Sequence, residues 1–264
     1  MITRFIPVMP GAAYTILLPR WVMLQAHQIA DDKNLLHCLA HRQGTILMLD
    51  NGVIETGSPQ THVLLEVAKK TQPNYVVCPD LLRDGPGTRE LLCVHGPILE
   101  RHTDQMIIVP QSESVSGWWV EAEHMIMVGH EVLSKPFILG VPGILDEMEP
   151  NGRCRALMHL PDNLRPPIHL LGIRTTITEL LLCILHAGPI LSVDSTLPVA
   201  LALDGHLLGM SSNKITMKNE DWELDGDICW MLIQKNIEQM GRYLRQWSRP
   251  NQSTATSVPT ETVS

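Results

Sequence analysis

The chain has 264 residues, of which 44% are hydrophobic and 4% aromatic, and it carries a formal charge of −8. This length and apolar content can bury a large core within one domain, and no run of about eighteen apolar residues suggests a membrane span. The negative balance excludes binding of nucleic acid by overall charge, so any polyanion would need a local basic patch. The opening Met1-Ile2-Thr3-Arg4-Phe5-Ile6-Pro7 lacks the charged, apolar and small-residue succession of a secretory leader. The six cysteines are scattered through apolar segments and are expected to be reduced thiols of an intracellular, cytoplasmic protein.

In chain order, apolar runs begin at Tyr14 (Tyr14-Thr15-Ile16-Leu17-Leu18), Ile46, Tyr75, Met106, Phe137, Ile168 and Ile190. Most starts are about thirty residues apart, the length of a strand plus the helical crossover that a parallel neighbour requires. The intervening segments have helical spacing. Thr61 to Thr71 carries Val63, Leu64, Val67 and Ala68, and Thr88 to Arg101 carries Leu91, Leu92, Val94, Ile98 and Leu99. Ser114 to Leu133 and Thr176 to His186 behave alike, and an eighth strand is expected at Lys214-Ile215-Thr216-Met217. The alternation predicts an α/β fold, a compact (β/α)8 TIM barrel, with an open doubly wound sheet as the alternative. Neither a G-x-G-x-x-G turn nor a Walker lysine motif occurs. A helix over Ile228 to Trp247 should pack on the barrel, making residues 1–248 one domain. The Ser-, Thr- and Pro-rich residues 249–264 are expected to be a disordered tail.

Polar residues or glycine follow each apolar run, where a barrel gathers its catalytic groups. Asp50 and Asp194 each end a run, and a carboxylate there is costly unless paired, hydrogen-bonded or functional. Helix capping is the ordinary alternative for either one. Asp80 and Gln111 occupy equivalent positions on runs between them. Glycines at Gly52, Gly140 and Gly143 offer close approach of a flat ligand to backbone amides, or simple turns. Arg83, Arg153, Arg155 and Arg174 follow such runs and could form a phosphate-binding surface, or be ordinary solvated arginines. Cys183 with His186 and Cys154 with His159 are isolated pairs without C-x-x-C, so no metal site is expected. The signatures of serine hydrolases, zinc deaminases and H-E-x-x-H enzymes are absent. Trp118 and Trp119 are expected in core or interface positions, and most of the twelve histidines at the surface or as satisfied core groups.

The ordered series Leu49-Asp50-Asn51-Gly52, Pro79-Asp80, Pro110-Gln111, Leu139-Gly140-Val141, Leu170-Leu171-Gly172-Ile173 and Val193-Asp194-Ser195 resembles the tRNA-guanine transglycosylase superfamily. The resemblance covers residues 44 to 220, and its specificity lies in the order of short motifs. The chain departs from that family in three ways. Asp50-Asn51-Gly52-Val53-Ile54-Glu55 stands for Asp-Ser-Gly-Gly-Phe-Gln, Ser112-Glu113 replaces a double glycine, and the C-terminal zinc motif is missing. In these losses the chain is similar to the compact 7-deazaguanine DNA transglycosylases of bacterial viruses and DNA-modification clusters.

The resemblance implies exchange of guanine in DNA for a 7-deazaguanine base, with tRNA as the near alternative. Asp194 would be the nucleophile and Asp50 the general base. Asp80 and Gln111 would grip the base edge, Gly140 would offer an amide, and Asn51 and Gly172 would line the same pocket. Arg83, Arg153 and Arg174 would meet the nucleic-acid backbone, and no cofactor or metal would be required. Two other readings stay open: a non-catalytic partner subunit, and a barrel enzyme for a small phosphorylated metabolite. The second would need a glycine-rich loop that Asp194-Ser195-Thr196-Leu197-Pro198 does not resemble.

Overall fold

Eight strands, β1 (Arg4–Pro7), β2 (Trp21–Gln25), β3 (Ile46–Asp50), β4 (Tyr75–Val77), β5 (Gln105–Ile108), β6 (Ile138–Val141), β7 (Ile168–Leu170) and β8 (Ile190–Ser195), pair in parallel throughout. Their order is β1-β8-β7-β6-β5-β4-β3-β2, and a parallel bridge between Val8 and Met23 joins the two ends. The fold is therefore a compact (β/α)8 barrel. The computed structural model describes residues 4–8, 14, 19–172, 177–186, 190–195, 198, 201–202 and 230–247.

Successive strand residues point to opposite faces, which gives the barrel two apolar layers. Ile6, Met23, Met48, Val77, Ile107, Val109 and Ile138 fill its interior. Their neighbours, including Val22, Leu24, Leu47, Leu49, Val76, Ile108, Leu139, Leu170 and Val193, face the helices. Burial on both faces explains why the strands read as continuous apolar runs rather than alternating ones. Toward the strands' N-terminal ends, Trp21 stacks on Tyr75 at 6.1 Å and the Arg4 guanidinium lies 4.9 Å over the Trp21 ring. The opposite, C-terminal mouth collects the polar residues.

The described helices are α1 (Ala26–Asp31), α2 (Lys33–Ala40), α3 (Val53–Thr56), α4 (Thr61–Thr71), α5 (Gly85–Leu99), α6 (Val115–Val132), α7 (Ile144–Met148), α8 (Gly152–His159), α9 (Ile177–His186) and α10 (Trp230–Trp247). Their starts carry their own caps. Asp32 accepts from Asn34 and Leu35, Asp84 from Gly87, and Ser114 from Gly117. Among the described residues, Asp50, Asp80 and Asp194 are not among these caps.

The helices over Thr61 to Thr71, Ser114 to Leu133 and Thr176 to His186 lie close to their expected bounds. The first strand differs. The run at Tyr14 was expected to be a strand, yet Tyr14 is helical and buried in the outer layer, and the strands flank it at Arg4–Pro7 and Trp21–Gln25. A five-residue apolar run cannot be assigned by periodicity alone. The barrel reaches eight strands through this early pair. The expected strand at Lys214–Met217 and the tail at 249–264 lie outside the described residues.

Candidate active site

Strand register brings the polar groups together. Met48 lies in the interior, so Asp50, two residues later, faces the mouth of the barrel; Gln25 is its register partner on β2. On β8, Val193 packs outward, which turns Ser192 and Asp194 inward. Asp194 is 3% exposed, and His169 on β7 is fully buried beside it.

Two groups hold Asp194 through three contacts. His169 Nε2 is 2.9 Å from Oδ1, and the Gly172 amide donates to both carboxylate oxygens, at 3.2 and 3.1 Å. An ionised carboxylate can only accept, so Nε2 is the donor to Asp194. Nδ1 is hydrogen-bonded to the Ser192 hydroxyl, 2.8 Å away. The result is a continuous hydrogen-bonded chain linking Ser192, His169 and Asp194. Gly172 has φ +62°, a left-handed conformation that glycine adopts without strain.

Asp80 anchors a second group. Its Oδ1 accepts from Asn51 Nδ2 at 2.6 Å, and its Oδ2 accepts from Gln111 Nε2. Asn51 is fully committed: it also donates to Cys78 O at 2.9 Å and accepts from the Val53 amide at 2.9 Å. Gln111 Oε1 accepts from the Arg83 amide at 3.3 Å. Burial raises the Asp80 carboxyl to about 6, and the hydrogen bonds from Asn51 and Gln111 restrain the rise. The pair Asp80 and Gln111 thus forms a preorganised polar edge on the β4–β5 side of the mouth.

Asp50 is half-buried between these two groups. Its carboxyl is pushed well above the ordinary range, first by desolvation and then by the charges of Glu55, Asp194 and Asp80; the Asn51 amide pulls the other way. Loss of water and like charge both favour a protonatable carboxyl, the property of a general base working near neutrality.

Several expected site residues have structural partners of their own. Gly140 lies within β6, paired with His169, where an added Cβ would meet Val109, Leu171 and Ile107 side chains at 2.8 to 3.0 Å. Its smallness is a packing requirement of the barrel wall. Gly172 gives its amide to Asp194, and Asn51 supports Asp80. Arg153, expected on the nucleic-acid backbone, is 1% exposed and ion-paired to Asp146, and it donates to Leu171 O at 2.8 Å. That expectation is corrected: burial and pairing keep its guanidinium from any phosphate. Arg83 is exposed on the rim with φ +64° and stays available to a ligand. Arg174 lies outside the described residues.

Two functional candidates escaped the sequence reading, His169 and Gln25. Each is a lone polar residue at an inward position of an otherwise apolar strand, which was the available signal. Cys154 donates its thiol to Leu182 O at 3.7 Å, and Cys183 is buried in α9. Among the described residues, no cluster of three or more His, Cys, Asp or Glu side chains is arranged to hold a metal ion.

No protein-family model and no curated protein matches this chain. Among solved structures it is similar to the carboxyl transferase domain of Rhizobium etli pyruvate carboxylase with 3-bromopyruvate. The identity there is 13% and the TM-score 0.52, over 94% of this chain and 48% of that one. The same domain with pyruvate aligns at 13% identity and TM-score 0.51, over 94% and 48%. D-psicose 3-epimerase from Clostridium cellulolyticum H10 with D-tagatose aligns at 12% identity and TM-score 0.49, over 92% and 99%. The chain spans about half the length of the carboxyl transferase domain structures. At such identities the likeness shows the barrel fold alone, and the chemistry has to come from the residues.

Proposed function

We propose that this chain is an enzyme, a base-exchange transglycosylase that replaces guanine in a nucleic acid with a 7-deazaguanine base; DNA is the leading substrate and tRNA the alternative. The observation that carries the reading is the facing of Asp50 and Asp194 into one mouth, flanked by the Asp80–Gln111 edge. Asp194, held by His169 and Gly172, attacks the anomeric carbon of the sugar. The carbon–nitrogen bond to guanine breaks, its electron pair leaves with the base, and a covalent glycosyl ester forms. Asp50 then removes a proton from the incoming base, whose nitrogen displaces Asp194. Two displacements at one carbon retain its stereochemistry. Asp80 and Gln111 hydrogen-bond the base edge after exchanging their mutual contact for it. A guanine in a duplex must first be extruded or taken from a single strand.

A denaturing gel of the protein with guanine-containing DNA, and separately tRNA, tests the reading. Wild type should form an adduct that a deazaguanine chase removes. Asp194→Asn should form none, whereas Asp50→Asn should form one that persists through the chase. A chase-sensitive adduct in Asp194→Asn would sink the nucleophile assignment. Absence of adduct with either nucleic acid, in folded wild type, would turn the reading toward a partner subunit or a metabolite enzyme.

A further inference from the structure

Beside the two carboxylates, two buried side-chain atoms meet no hydrogen-bond partner among the described residues. Gln25 ends β2 and is only 4% exposed, yet its Oε1 is fully buried and meets no hydrogen-bond partner among the described residues. Trp21 and Met23 point into the barrel and Val22 and Leu24 point out, so Gln25 falls on the inner face. Its register partner is Asp50. A second orphan adjoins it: His27 Nδ1 is buried without a partner. Gly52, in the turn after Asp50, lies against that ring. A Cβ at Gly52 would stand 2.7 Å from His27 Nδ1 and 4.0 Å from Gln25 Cβ, and its φ of +70° also calls for glycine.

Two orphaned polar atoms on one wall are costly to a free protein, because buried polar groups are almost always paired. Their cost is recovered when a ligand supplies the missing partner. We infer that Gln25 is a ligand-contact residue, whose Oε1 accepts a hydrogen bond from an N–H or O–H donor on the nucleoside bound beside Asp50. The inference rests on the base-exchange reading and extends it to the side of Asp50 away from Asp80 and Gln111. On the strand order Gln25 stands between Asp50 and the β1–β8 side that holds Asp194. The donor is therefore close to the bond that is broken, on the base or on the sugar.

Gln25→Met keeps the length of the side chain and removes the acceptor. Calorimetric titration of wild type and variant with guanine, 2′-deoxyguanosine and guanosine reads the effect, alongside thermal melting without ligand. The variant should melt no lower than wild type, because an unsatisfied oxygen is replaced by an apolar group. It should bind at least one of the three ligands about tenfold more weakly. A loss shared by all three assigns the donor to the base, and a loss confined to guanosine assigns it to the 2′-hydroxyl. Equal affinity for all three overturns the inference while leaving the base-exchange reading standing. A marked fall in melting temperature also overturns it, since Oε1 would then have a structural partner. Wild type that binds none of the three overturns both.

Discussion

His169 and Asp194 are joined across the β7–β8 ladder by a 2.9 Å contact from ring to carboxylate, and the ring's other nitrogen is fixed 2.8 Å from Ser192 Oγ. The imidazole is fully buried, so no solvent competes for either contact. A carboxylate at this depth is tolerable because charge-assisted donors replace water, and those same donors fix the direction in which its free lone pairs point.

Replacing His169 should therefore cost activity more than fold. His169→Phe keeps the ring volume and removes both polar contacts. It should slow adduct formation by about 10²-fold through loss of orientation, and destabilise the protein by about 1–3 kcal/mol. His169→Gln can still present an N–H to Asp194 and should recover part of the rate. Single-turnover adduct formation, compared with urea unfolding, separates the two effects. A variant destabilised yet normal in adduct rate would make His169 purely structural.

Asp80 should leave a mark on stability as a function of pH. Its folded value, about 6, lies above the ordinary 3.8. Between those values the folded protein holds a proton that the unfolded chain has released. The folded state thus binds more protons, and stability falls as pH rises across this window, by about 3 kcal/mol in total. Asp80→Asn has no such proton. Its stability relative to wild type should rise between pH 4 and pH 7, and loss of the Asp80 charge, which helps to raise Asp50, adds to the rise in the same direction. Denaturant unfolding at four or five pH values checks this, and a constant difference between the two proteins would refute it.

Asp50 should govern the second chemical step. A base is effective only when ionised, so the chase of a preformed adduct by deazaguanine should accelerate as pH rises through the elevated Asp50 value. Asp50→Asn should lower that rate by about 10²–10⁴-fold and lose its share of the pH dependence. Rapid-quench measurement of adduct decay provides the profile.

Much of the architecture was legible because barrel strands are buried on both faces and leave unbroken apolar runs at βα spacing. Ile46–Asp50 and Ile190–Ser195 announced both themselves and the carboxylates at their ends. Arg4–Pro7 did not, being four residues long, and the apolar run at Tyr14 drew the assignment away from it. In the site, residue type pointed to Asp50, Asp80, Gln111 and Asp194, but not to the partner of each. Gly172 was legible as a glycine; that its amide serves Asp194 depends on its left-handed backbone and on β7–β8 register. His169 was hidden because a histidine between Ile168 and Leu170 looks the same whether it packs or positions. The pairing of Arg153 with Asp146 requires α7 and α8 to fold back on each other, which spacing alone does not show.

That last pair gives a test that separates two roles for arginine at the mouth. Asp146 accepts from the Arg153 side chain and from its amide at 3.0 Å, and Arg153 in turn holds Leu171 O, next to the Gly172 amide that serves Asp194. Arg153→Met leaves a buried carboxylate unpaired and should destabilise the protein by about 3–5 kcal/mol. Adding Asp146→Leu removes the stranded charge and should restore part of that loss, a coupling that a double-mutant cycle in urea measures directly. Arg83 is exposed on the rim and should behave in the opposite way. Arg83→Met should leave stability within about 0.5 kcal/mol while lowering the salt dependence of DNA binding by about one unit of log K against log salt. The Arg153→Met, Asp146→Leu double variant should keep the wild-type salt slope, because a buried guanidinium neutralises no phosphate. A reduced slope in that variant, measured where it is fully folded, would return Arg153 to the nucleic-acid surface.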